Sequence, residues 1–323
     1  MQKPTLSVWI LSDGKIGDEG QCLAVAEALG ADAVIKRIAP RALFAAAMPW
    51  GGIDPKDAPD KPGSPIAGPY PDLCIASGRR AVAYLRAVKK ASGGRTFTVF
   101  LKDPRTGTKD ADLIWVPEHD RLRGPNVIAT LVSPHRFTPE RLALLRANPP
   151  AALAALPSPR VAVLVGGRSR DFDFSPADAE RLLVDLDALA VHARLMVTAS
   201  RRTPDRLKEA VLGLARAKGG FGWDGTGDNP YPAMLALADA FVVTADSANM
   251  ISEAVSTGKP VMVFEPSLRF GRKGRRIRSF IAALEAKGAV RKFQGRLESY
   301  AYEPLVSVPT IASAIRAAMA ASP

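Results

Sequence analysis

Short apolar runs and helix-period segments alternate along the whole of this 323-residue chain. In the first half, residues 6–12, 33–38, 72–76, 97–101 and 113–116 have the length and apolar, β-branched make-up of strands. Helical patterns fill 20–29, 79–91 and 138–147, and the Pro/Gly-rich stretch 49–71 predicts a surface loop. After a Pro-rich joint at 148–159 the alternation restarts with strand 160–165, helix 176–189, strand 193–198 and helix 204–217. Residues 239–264 continue it as a buried strand (241–244), a polar loop, a short helix and a second buried strand (261–264). Two such βαβ arrays predict an α/β protein of two doubly wound, Rossmann-like domains facing a cleft. The first covers 1–150 and the second 160–306.

Composition narrows the class. Hydrophobic residues make up 47% and charged residues 24% of the chain, as in soluble globular proteins. No apolar run approaches the ~20 residues of a membrane helix. The stretch 6–11 stops at Asp13, short of a signal peptide's apolar region, so a cytoplasmic protein is the expectation. Cys22 and Cys74 have no CxxC partner or nearby histidine and are expected to be structural. The balance of 44 Lys and Arg against 32 Asp and Glu, a net +12, favours an anionic partner. RNP-like aromatics, zinc spacing and basic–aromatic interleaving are all missing, which argues against nucleic acid. Arg269, Arg272, Lys273, Arg275, Arg276 and Arg278, with Phe270 and Phe280 alongside, make an anionic membrane surface a candidate partner. A peripheral position at the inner membrane would follow; a charged helix face is the plainer reading.

Ligands of doubly wound domains sit beyond the carboxyl ends of the strands, so those loops hold the candidate chemistry. After the first strand, Gly14 and Gly17 allow close backbone approach, and the helix start beyond them favours an anion. The loop matches neither a P-loop nor a G-x-G-x-x-G fingerprint, which counts against P-loop ATP and nicotinamide chemistry. Asp18 and Glu19 either stabilise the helix start or act as bases toward an acceptor hydroxyl. His119, between Glu118 and Asp120, is either a third candidate base or a solvated loop residue, and His135 stands behind it. Arg79 and Arg80 face either a phosphate or solvent.

In the second half, Gly166 and Gly167 let backbone N–H groups reach a diphosphate that Arg168 neutralises. Ser200, Arg201 and Arg202 end the next strand, with Thr203 as helix cap and Pro204 at the first helical position. Asp246 or Ser247 caps the short helix that carries Asn249 and Glu253. Its first turn forms an anion site, and Glu253 is spaced to accept a sugar or ribose hydroxyl. Trp223 and Asn229 either flank a base or sugar or belong to the core. The pairs Asp171/Asp173 and Asp185/Asp187 have Asp-x-Asp spacing. Such pairs arise by chance among this many acids, and neither a metal nor another cofactor is assigned.

Ser247-Ala-Asn249-Met-Ile-Ser-Glu253-Ala, followed by Gly258-Lys-Pro260 and preceded by the helix from Tyr231 to Asp239, resembles the nucleotide-sugar segment of GT-B glycosyltransferases. It is most similar to the peptidoglycan N-acetylglucosaminyltransferase that makes lipid II. Across nearly the whole chain, Asp13-Gly…Gly17…Gln21, Pro71-Asp-Leu…Gly78-Arg-Arg, Pro117…His119-Asp120, Gly124-Pro-Asn126, Gly166-Gly167, Ser200…Pro204, Asn229-Pro-Tyr231 and Asp246-Ser…Glu253 resemble one family. It is the bacterial GT-B-like family related to the plant elongated-mitochondria fission protein. That family often has histidine after Gly17, where this chain has Asp18. The resemblance implies that the helix within 307–323 packs back on the first domain. It also implies that the 246–249 turn holds a diphosphate and Glu253 the ribose. The implied activity is metal-independent transfer from a nucleoside-diphosphate sugar. Nucleotide-sugar epimerisation and a non-catalytic adaptor role are the alternatives.

Overall fold

The computed structural model describes residues 6–322. Residues up to Arg136, with those from Val306 onward, form one compact unit, and Phe137–Leu305 form another.

The first unit runs β1 (Val8–Ser12), α1 (Ile16–Ala28), β2 (Ala33–Arg37), α2 (Ala42–Ala47), β3 (Leu73–Ser77), α3 (Ala81–Ala91), β4 (Phe97–Leu101), β5 (Leu113–Pro117) and β6 (Val127–Thr130). Its strands pair in parallel in the order β2-β1-β3-β4-β5-β6. β1, β3, β4 and β5 are buried along their whole length. Their continuous apolar runs therefore suit a parallel sheet covered on both faces. One face packs Trp9, Leu11 and Phe100 against α3, and the other packs Val8, Ile10 and Leu73 against α1. Helix α1 starts at Ile16, four positions before the expected start at 20, so Gly17 lies inside it rather than in the loop. Asp18 and Glu19 in the first turn favour that early start through the helix dipole. The stretch 49–71 is no simple surface loop either. Asp54 and Ile66 are fully buried, and Asp54 Oδ1 takes Arg41 Nη2 at 2.7 Å.

The second unit opens with α4 (Pro139–Ala147) and α5 (Ala151–Ala154). Helix α4, read from the sequence as the close of the first domain, belongs here: Arg146 Nε donates to the carbonyl of Ala236 at 2.7 Å. The expected linker carries α5, whose Leu153 is fully buried. There follow β7 (Arg160–Val165), α6 (Pro176–Ala190), β8 (Arg194–Ala199), α7 (Asp205–Ala217), β9 (Phe221–Trp223), α8 (Tyr231–Leu237), β10 (Ala240–Thr244), α9 (Ala248–Val255), β11 (Val261–Phe264), α10 (Arg275–Ala286) and β12 (Val290–Lys292). The parallel order is β12-β11-β10-β7-β8-β9. Val161, Val163, Leu182, Leu186, Val211 and Met262 lie in the core under α6 and α7.

The chain then returns to the first unit as α11 (Val308–Ala321). Ile311 and Ile315 are buried there beside Cys22 and Val25, and Arg316 donates to the carbonyl of Ala28 at 2.6 Å. Both cysteines are buried, and burial pushes their thiols far above the ordinary range, as suits structural residues. Among the described residues, no helix is long and apolar enough to cross a membrane.

Candidate functional site

In the second unit the chain leaves β7 toward β8 and β9, then returns to place β10 and β11 on the other side of β7. The crevice between the carboxyl ends of β7 and β10 is the topological switch point, where open α/β sheets bind ligands. The loops there are tied into one knot around Asp246.

The Asp246 side chain is fully buried. Its carboxylate accepts from Gly167 N at 2.9 Å, Thr244 Oγ1 at 2.7 Å and Arg202 Nη2 at 3.0 Å. Burial raises its pKa, and the three donors oppose that rise. Thr244 Oγ1 also accepts from Gly166 N at 2.7 Å. Both glycine amides thus donate inside the protein, not outward to a ligand as the sequence suggests. The reason for glycine is steric. A Cβ on Gly166 would lie 2.2 Å from Asp246 Oδ1, and one on Gly167 would lie 2.1 Å from the backbone of Arg202.

Arg202 completes the knot by donating from Nη1 to the carbonyl of Arg168 at 3.0 Å. Ser200 Oγ accepts from Arg202 N at 3.1 Å and holds the turn. Thr203, expected to cap α7, instead donates its hydroxyl to the carbonyl of Gly166, and Pro204 takes the cap position. Arg201 is exposed on the same turn. Arg168 is largely exposed and pairs with Asp173 at 3.0 Å. Gly166, Gly167, Arg168, Ser200, Arg202 and Asp246, far apart in sequence, therefore share one strand-end cluster.

Ser247 caps α9, its Oγ accepting from Met250 N at 3.4 Å. Asn249 sits in the first turn and Glu253 about one turn on. The Tyr231 hydroxyl donates to Glu253 Oε2. Burial pushes the Glu253 carboxyl up to about 7, against the lowering effect of the Tyr231 hydrogen bond. Asn229 Oδ1 accepts from Tyr231 N, at the first residue of α8, at 3.0 Å. Trp223 Nε1 is committed to the carbonyl of Thr226 at 2.7 Å. The Tyr231–Glu253 pair escaped the sequence reading, although Tyr231 stood in a recognised tripeptide.

In the first unit, Gly14 takes a left-handed φ of +85°, and its N–H donates to Ser12 Oγ at 3.0 Å. Asp18 is ion-paired with Lys102 at the end of β4. Glu19 accepts from Ser12 Oγ at 2.9 Å and pairs with Arg37 at 3.1 Å. The strand order sets β5, and so His119, three strands from β1, roughly 14 Å away at ~4.8 Å per strand. His119 is half-buried in the turn after β5. The Arg79 guanidinium, a candidate for a phosphate or solvent, donates to the carbonyls of Met48 at 2.9 Å and Ala45 at 3.1 Å. His135 is buried, and desolvation pushes its pKa down to about 4. Among the described residues, no group of three or more His, Cys, Asp or Glu could hold a metal ion.

This architecture has known counterparts. The spinosyn forosaminyltransferase SpnP superposes with a TM-score of 0.50 at 14% identity, covering 99% of this chain and 96% of that one. The UDP-GlcNAc 2-epimerase from Methanocaldococcus jannaschii gives a TM-score of 0.50 at 10% identity, covering 97% and 99%. At such identities the likeness shows the fold, which is GT-B-like. In sequence, the chain is 30% identical over 280 residues to mitochondrial fission protein ELM1 of Arabidopsis thaliana. The match covers 78% of this chain and 64% of the plant protein, so this chain spans under two thirds of that relative's length. The family description Mitochondrial fission ELM1 matches residues 16–319. This chain belongs to the mitochondrial fission ELM1 family.

Proposed function

We propose that the second unit binds a nucleoside-diphosphate sugar at its switch point and that the protein transfers the glycosyl group to an acceptor hydroxyl. The observation that carries this reading is the Arg202 guanidinium seated on the Gly166–Asp246 knot, with Arg168 and exposed Arg201 on the same strand-end loops, beside the Ser247-capped start of α9. A diphosphate there meets arginine charge, the positive end of the α9 dipole and the side chains of Ser247 and Asn249. One Glu253 oxygen is engaged by Tyr231; the other is assigned to the ribose.

In the transfer, an acceptor oxygen bonds to the anomeric carbon while the bond from that carbon to the diphosphate breaks. The diphosphate leaves with the electron pair, and the arginines stabilise its growing charge. The acceptor proton passes to a carboxylate or imidazole, for which Asp18, Glu19 and His119 are the proposed candidates. Two fold neighbours, a sugar transferase and a nucleotide-sugar epimerase, support a nucleotide-sugar ligand equally. The commitment of both glycine amides to internal partners, which withholds two expected diphosphate donors, favours a second reading, a non-catalytic adaptor that keeps the fold.

The basic segment supplies a proposed partner surface. Phe270 is fully exposed among exposed Arg269, Arg272 and Lys273, whereas Phe280 is buried and takes no part. We assign this loop to an anionic membrane surface.

The purified 323-residue chain, incubated with a panel of nucleoside-diphosphate sugars and candidate acceptors, tests the reading through its products. Free nucleoside diphosphate with a glycosylated acceptor supports transfer. An altered sugar still on its nucleotide means epimerisation, and binding without any product means an adaptor.

A further inference from the structure

The first unit has a switch point of its own, between β1 and β3, and its chemistry differs from that of the second. Asp13, directly after β1, has a side chain only 5% exposed. Its Oδ2 takes Lys15 Nζ at 3.0 Å. Its Oδ1 is buried and accepts no hydrogen bond among the described residues. A buried carboxylate oxygen in that state calls for a donor.

Gly78, directly after β3, lies opposite. Its φ of +94° is a left-handed conformation that disfavours any side chain there. A Cβ built on it would stand 3.5 Å from Asp13 Oδ1 and 3.5 Å from Asp18 Oδ2. The two carboxylates thus converge on one point above bare backbone. The other Asp18 oxygen is held by Lys102, a non-glycine residue at φ +85°. Such strained backbone persists where the surroundings enforce it, commonly at functional sites.

The charges select the ligand. Asp13, Asp18 and Glu19 are each already matched by a cation, Lys15, Lys102 and Arg37. An added cation would leave surplus positive charge, and an anion would meet two carboxylate oxygens. What fits is a neutral donor with neighbouring O–H groups. We infer that the niche bounded by Asp13, Asp18 and Gly78 binds a neutral sugar or polyol, which donates hydroxyls to Asp13 Oδ1 and Asp18 Oδ2. This assignment stands on the first unit alone.

The test is an amide NMR titration of the 323-residue chain with N-acetylglucosamine, with myo-inositol and, separately, with magnesium alone. The signals followed are those of Gly14 and Gly78, and a parallel UDP titration reads Gly166 and Gly167. Saturable movement of the Gly14 and Gly78 signals by the sugar or the polyol is expected. Asp13→Asn, which preserves shape, should weaken it at least about tenfold, as loss of a charged hydrogen bond implies. Asp18→Asn serves as the second variant, and the UDP response should be the same in all three proteins. No saturable movement with either polyol overturns the proposal. So does movement with magnesium only, or equal affinity in the wild type and both folded variants. Failure of the UDP arm alone counts against the nucleotide reading and leaves the polyol site intact.

Discussion

Arg202 Nη2 lies 3.0 Å from Asp246 Oδ2, joining the loops after β8 and β10 across the end of β7. The carboxylate is buried and the guanidinium is half-exposed, with 47% of the arginine side chain accessible. Arg202→Gln should therefore destabilise the second unit by about 1–2 kcal/mol, the low end for a hydrogen bond to a charged group. Asp246→Asn should reduce that effect in a double-mutant cycle measured by urea unfolding. Additivity within about 0.5 kcal/mol would show that the two side chains are not coupled.

The glycine pair makes a second prediction, in which the nature of the obstacle matters. Gly166→Ala meets a side-chain carboxylate that can rotate, whereas Gly167→Ala meets the backbone of Arg202. Both should destabilise, by roughly 1–3 kcal/mol for overpacking, and Gly167→Ala by more. The opposite ranking would mean that the 200–203 turn yields more easily than Asp246.

The pH dependence of stability follows from two buried groups of opposite sign. Glu253 holds its proton in the folded state up to about pH 7, against an ordinary value of 4.5. Its contribution is complete below about pH 4.5 and is lost as pH rises through about 7. His135 is held down to about 4 from 6.5. Its contribution is complete above about pH 6.5 and is lost as pH falls through about 4. Glu253→Gln should flatten the first slope and leave the second. Tyr231→Phe removes the hydrogen bond that lowers the Glu253 carboxyl, so a carboxyl-directed NMR titration should find its pKa higher still. An unchanged or lower value would contradict the pairing.

The loop around Phe270 predicts salt-sensitive sedimentation with anionic vesicles, because each basic residue near such a surface contributes about 1 kcal/mol. Phe270→Ala combined with charge reversal at Arg272, Lys273 and Arg276 should abolish sedimentation and leave Phe280 packed in the core. Equal sedimentation with neutral vesicles would remove the electrostatic basis.

Much of the fold was legible because buried parallel strands are written as uninterrupted apolar runs. β4, β7 and β11 match the expected bounds residue for residue, and most others lie within two. The short edge strands β9 and β12 and the half-buried β6 carry no such run and went unread. Helix α4 was assigned to the wrong unit because nothing local reveals that Arg146 reaches Ala236. The candidate site was half legible. Glycine, arginine and capping residues at strand ends can be read from spacing, and they do cluster. Their partners cannot: Asp18–Lys102 spans 84 positions and Gly167–Asp246 spans 79. The sequence therefore showed two amides available to a phosphate where the fold uses both on Thr244 and Asp246.

The central claim is that the switch point between β7 and β10 recognises a diphosphate, and calorimetric titration of UDP against uridine measures it most directly. Wild type should bind UDP saturably and uridine more weakly. Arg201→Gln with Arg202→Gln should reduce UDP affinity more than uridine affinity. Glu253→Ala should weaken both by about 1.5–3 kcal/mol through the ribose. Equal affinity of the wild type for UDP and uridine, or UDP affinity untouched by loss of both arginines in a folded variant, would contradict the account.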